Sequence, residues 1–148
     1  MVISQYAHFG LRSRRMPACD IAERLGIEPD EISVRGTKLV DPPIPSWHEW
    51  KVACRDSTVG VEEQVDRIVA RLMPFAAEIG ELAAHLEHDD GGGARLRIVR
   101  QFEADATAMD RAEADRDAAE ALLSWHLNRE VLRFLQITRA DLDVDERR

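Results

Sequence analysis

The chain has 148 residues, 45% of them hydrophobic, with 20 Lys and Arg against 28 Asp and Glu and a formal net charge of −8 at pH 7. That length suits a single domain, residues 1–148, around one core, and the apolar content excludes disorder throughout. The acidity argues against general nucleic-acid binding, which depends on cations neutralising phosphates.

Two cysteines, Cys19 and Cys54, are too few for a disulfide framework. Both fall in apolar patterns, where a free thiol is expected as a small buried side chain. The start, Met1-Val2-Ile3-Ser4-Gln5, lacks the basic region and apolar stretch of a secretion signal. No apolar run approaches the roughly 20 residues a membrane helix needs. The expected setting is the cytoplasm, with no membrane partner and no cofactor.

In Gln5–Leu11, the residues Ala7, Phe9 and Leu11 alternate with Tyr6, His8 and Gly10, which predicts a half-buried strand. Arg12-Ser13-Arg14-Arg15 reads as a polar turn. Pro17 suits a first helical position, and Ala18, Ile21, Ala22 and Leu25 form a short apolar stripe behind it. Gly26 can end that helix in a left-handed conformation, with Ile27 packing back on the last turn. Residues 41–46, with Pro42, Pro43 and Pro45, make an extended connector.

Trp50, Val52 and Cys54 then alternate with Glu49, Lys51 and Arg55 as a second strong strand. Val61, Val65, Ile68, Val69 and Leu72 follow helical spacing, Pro74 interrupts, and Phe75, Ile79, Leu82, Ala83 and Leu86 resume it. The pattern predicts a broken helical pair ending at Asp89-Asp90-Gly91-Gly92-Gly93. Leu96, Ile98 and Phe102 mark another strand. Arg100 falls in its apolar phase, so the strand must bend there or let Arg100 reach a sheet margin.

Residues 104–121 are acidic and Ala-rich, and Met109, Ala112, Ala119, Leu122 and Leu123 make a thin stripe that predicts an added helix. Asn128 can cap a last helix bearing Val131, Leu132 and Leu135, and Leu142 and Val144 define the final strand.

One pattern occurs twice. Leu25-Gly26-Ile27-Glu28-Pro29-Asp30-Glu31-Ile32-Ser33-Val34 shares its apolar and acidic offsets with Leu135-Gln136-Ile137-Thr138-Arg139-Ala140-Asp141-Leu142-Asp143-Val144. Each copy closes a helix and opens a strand. The expected architecture is α+β: a two-layer sandwich of duplicated, ferredoxin-like βαβ units with a central helical pair and helices on one sheet face.

The run Phe9, Ile21, Leu25-Gly26-Ile27-Glu28-Pro29-Asp30, Gly36, Trp50, the helix at 61–72, and Leu127, Val131, Leu135 and Leu142-Asp143-Val144-Asp145 resembles the domain of unknown function 4279 family. The resemblance spans about residues 6–145 and is most specific at Leu25-Gly26-Ile27-Glu28-Pro29. The acidic stretch 104–121 is longer than the loop expected there and takes nothing from the resemblance. The resemblance implies a bacterial or phage protein, a fold of this class and no established catalytic residues.

Candidate chemistry is sparse. Glu81, His85 and His88 share one side of a helix, a donor set that suits zinc, but they also read as its solvent face. Asp141, Asp143 and Asp145 share one strand face and read as its polar side. No Gly-x-Ser-x-Gly elbow is present, and Gly91-Gly92-Gly93 precedes a strand, not the helix of a phosphate loop. The catalytic set is empty.

An outward sheet face of Tyr6, His8, Glu49, Lys51, Arg95, Arg97 and Asp143 offers one aromatic, too few for base stacking. Trp50 belongs to the core, whereas Trp47 and Trp125 are candidate partner-binding residues together with Met109, because Trp anchors interfaces disproportionately. The expected function is a non-enzymatic protein-interaction module, of an immunity or phage–host antagonist type, whose partner has a basic surface, with a homodimer as the next choice. The alternatives are a small metal-dependent enzyme using His85 and His88, and an acidic nuclease inhibitor.

Overall fold

The alternation read in Gln5–Leu11 belongs to a longer strand, β1 (Val2–Ser13), so Arg12 and Ser13 continue the strand where a turn was expected. The structure is a computed structural model and describes residues 2–38, 40–103 and 123–148. The predicted helix over 104–121 lies outside the described residues.

β1 is the middle of a five-stranded mixed sheet with β2 (Glu31–Ser33), β3 (His48–Cys54), β4 (Gly93–Glu103) and β5 (Asp141–Arg147), in the order β2-β3-β1-β4-β5. Phe9 lies opposite Val52 and Leu96, and Leu11 opposite Trp50 and Ala94. These residues share one face because successive side chains of a strand alternate. They are buried together beneath α1 (Ala18–Leu25), α2 (Val61–Leu72) and α3 (Ala76–Asp90).

A further helix, α4 (Arg129–Thr138), packs on α2 and α3 and sends Phe134 edge-on to Phe9, 5.1 Å between ring centres. Trp50 is fully buried and donates its indole N–H to the Ile27 carbonyl at 3.1 Å. α3 and α4 come close enough that a Cβ on Gly80 would collide with the Ile137 carbonyl, so the contact requires glycine.

The broken helical pair forms as expected. A 3-10 turn, Met73–Phe75, separates α2 from α3 at Pro74, whose ring and missing N–H interrupt a continuous helix. Gly26 ends α1 at φ 67°, and Asn128 caps α4 by accepting from the Val131 N–H at 3.0 Å.

The end of α3 is tied to the end of β1 by Asp90. Its Oδ2 accepts from the Ser13 hydroxyl at 2.6 Å and from the Arg14 and Arg15 N–H groups at 3.0 and 3.2 Å, while Oδ1 accepts from Gly92 N–H at 2.9 Å. Burial pushes this carboxyl up. The four donors more than offset that and hold it below the ordinary aspartate range.

The α+β expectation is met, but the duplication differs in detail. β4-α4-β5 has its two strands adjacent and parallel. β1-α1-β2 is split instead, because β3 lies between β1 and β2 and is antiparallel to both. The order β2-β3-β1-β4 is thus a split βαβ arrangement, to which β5 adds a parallel strand beside β4. The reason is competition for β1: β3 brings Trp50, Val52 and Cys54 into register with it, whereas β2 has only Ile32 to offer that face.

The repeated pattern does mark the sheet's two margins, since β2 and β5 open at Glu31 and Asp141, equal offsets from Leu25 and Leu135. The helix ends do not correspond: α1 stops at Leu25, while α4 runs to Thr138 before Arg139 turns left-handed at φ 58°.

Arg100 takes the margin. It is 1% exposed and donates to Glu146 Oε1 of β5 at 3.0 Å and to the Leu123 carbonyl at 3.1 Å.

Candidate functional site

The sheet face away from the helices is a lattice of charge. Glu49 reaches from β3 across Gly10, where a Cβ would collide with its Oε1. Its Oε2 lies 3.4 Å from Arg95 Nη2, and its Oε1 lies 3.7 Å from His8 Nε2, too long for a hydrogen bond. Glu49 and His8 are only 6% and 5% exposed. Burial pushes the Glu49 carboxyl up, but the approach of His8 with the charges of Arg95 and Lys51 outweighs it, leaving the group below the ordinary glutamate range. Burial, reinforced by Arg95, likewise lowers the Arg12 guanidinium, against the pull of Glu49, Asp141 and Asp143.

Toward β5 the ladder continues, with Arg95 and Arg97 3.6 and 3.7 Å from Asp143 and Arg97 3.0 Å from Asp145. Tyr6 stacks on His8 and carries Arg55 over its ring at 4.1 Å. The charges here serve one another, and the one aromatic is covered. This face has neither the stacking platform of an RNA-binding sheet nor an open acid–base pair.

A concave region lies at the N-terminal end of α2. α2 begins at Val61, so Glu62, Glu63 and Asp66 fall on its first turns, where carboxylates complement the helix dipole. Together with Gln5, Ser124 and Trp125 they border a cavity of 370 Å³. Trp125 is half-buried, with part of its side chain packed on the core.

The segment before α4 is held to these carboxylates. His126 donates its backbone N–H to Glu62 Oε1 at 2.9 Å, and His126 Nδ1 stands at the same distance from that oxygen. Asn128 Nδ2 donates to Asp66 Oδ1 at 3.1 Å, and Glu63 accepts from Arg67 Nε at 3.1 Å. An indole beside several carboxylates is chemistry suited to a guanidinium or ammonium group.

The other candidate residues are scattered. Trp47 is half-buried, but Arg12 and Arg14 lie over its ring at 4.7 and 4.5 Å, so its faces are served by its own chain. Met109 lies outside the described residues. Glu81 and His85 are exposed and border a shallow hollow with Arg24 and Glu78, while exposed His88 does not line it. Among the described residues no group of three His, Cys, Asp or Glu side chains is arranged to hold a metal ion. Asp143 and Asp145 serve Arg95 and Arg97. Cys19 is exposed and Cys54 half-buried, against the expectation that both are buried, because each sits at the rim of its apolar pattern.

Sequence reasoning missed Glu62, Glu63 and Asp66, which look like any solvated helix face until Trp125 is brought beside them. The family model for Domain of unknown function (DUF4279) matches residues 4–147, nearly the whole chain. The chain belongs to this family. The DUF4279 match covers both margins of the sheet and the Trp125 cavity. No curated protein and no solved structure matches the chain. Among the described residues, no helix is long and apolar enough to cross a membrane.

Proposed function

We propose that this DUF4279 protein is a non-enzymatic interaction module that binds and modulates another protein by that partner's basic surface, in the manner of an immunity protein or phage–host antagonist. The observation that carries this reading is the cavity at Trp125, where an aromatic ring stands beside Glu62, Glu63 and Asp66. A partner's Arg or Lys side chain entering it meets an aromatic face and carboxylates together. Such a group is the kind of buried anchor on which interface energy concentrates. The net charge of −8 adds long-range attraction for a basic partner.

The test is affinity capture from the native host, with the wild-type chain and a Trp125→Ala/Asp66→Asn variant run in parallel. The expected result is a basic protein retained by the wild type, released by raised salt, and lost from the variant. Equal recovery of the same protein on both baits sinks the proposal.

A further inference from the structure

β5 is the last strand of the sheet and pairs only with β4, so among the described residues the backbone groups of its other edge have no strand partner. It is seven residues long and has no Pro, and its charged side chains are acidic apart from Arg147, so they blunt the edge against an acidic or apolar strand but not against a basic one. The opposite margin, β2, is only three residues long.

The two faces of β5 differ sharply. Its register with β4 puts Asp141, Asp143 and Asp145 on the charged face and Leu142 and Val144 on the helix side. Leu142 and Val144 are 44% and 40% exposed, which is much apolar surface for a strand that a helix layer should cover. α4, which leads straight into β5, adds exposed Leu132 and Ile137.

A second copy of the chain does not fit this edge. Antiparallel self-pairing centred on Val144 sets Asp143 opposite the other copy's Asp145. Centring on Asp143 sets aspartate against aspartate directly, and parallel in-register pairing does the same for all three. Like charges directly opposite each other are destabilising. A strand in which Lys or Arg alternates with apolar residues satisfies both faces at once. Its cations extend the ladder already made by Arg97 with Asp143 and Asp145, and its apolar residues cover Leu142 and Val144.

We propose that β5 is a docking edge that takes an extended, alternately basic and apolar segment of the partner as a sixth strand. This rests on the interaction-module reading and adds the surface and conformation of the bound segment.

The test uses the full chain and a synthetic peptide alternating arginine with valine, beside a control of the same composition with its arginines and valines in separate blocks. Amide hydrogen exchange is read along β5. The alternating peptide should slow exchange at Asp141–Arg147 and the blocked one should not. A Leu142→Asp/Val144→Asp variant, shown folded by its circular dichroism, should bind the alternating peptide about tenfold more weakly.

No protection of β5, equal protection by both peptides, protection confined to the Trp125 cavity, or concentration-dependent protection without peptide each overturns the docking edge. Loss of β5 protection with Trp125-dependent capture intact removes the edge and leaves the module. Intact β5 protection with Trp125-independent capture does the reverse.

Discussion

The two faces of the sheet are built on opposite physics. On the helix side, Phe9, Leu11, Trp50, Leu96 and Phe134 are fully buried and meet by shape, with one indole hydrogen bond to place Trp50. On the other side, His8 and Glu49 are almost as deeply covered, but what covers them is a lattice of long charged side chains. Burial by apolar packing resists pH and salt, whereas burial by charge depends on both. The apolar face holds the domain together, and the charged face tunes it.

The largest effect should come from the apolar side. Trp50→Ala removes a fully buried indole and its bond to Ile27, and should cost about 3–5 kcal/mol in denaturant unfolding. A loss below about 1 kcal/mol would mean that this core does not carry the fold.

Asp90→Ala should come next, at about 2–3 kcal/mol, because it strips partners from Ser13, Arg14, Arg15 and Gly92. Since the folded carboxyl is depressed, its contribution is complete above the ordinary aspartate value and fades as pH falls through the folded one. The gap between wild type and variant should therefore close on acidification. A gap independent of pH would show that the carboxylate charge is irrelevant. Glu49→Gln should flatten the same acid limb on the charged face, for the same sign of shift.

Gly10→Ala strains the charged face directly. It should cost about 1–3 kcal/mol by overpacking against Glu49, and most of that should vanish in a Glu49→Ala background. An equal cost in both backgrounds would place the strain in the backbone instead.

Asp143→Asn should be the smallest change, within about 1 kcal/mol and shrinking with salt, because its links to Arg95 and Arg97 are long and partly solvated. A larger, salt-insensitive loss in urea titration would show that the ladder is structural.

Much of the fold was legible because strand and helix periodicities write burial directly into the chain. Alternation in Gln5–Leu11 and at Trp50, Val52 and Cys54 marked the central strands and both faces of the sheet. Pro74 marked the helix break and Gly26 a helix end. The candidate cavity was legible only through Trp125. Its carboxylates carry no local signature, because Glu62, Glu63 and Asp66 follow the spacing of any exposed helix side. Asp90 shows the same gap, since its donors at Ser13, Arg14 and Arg15 are far from it in sequence.

By itself the sequence determined most of the described strands and helices and the apolar set that they bury, because these depend on local periodicity and turn chemistry. Only the tertiary structure decided the order β2-β3-β1-β4-β5, the burial of His8 and Glu49 over Gly10, and the meeting of Trp125 with α2. Each of those turns on which distant segments win the same neighbour, and that competition is settled by register and packing across the whole sheet.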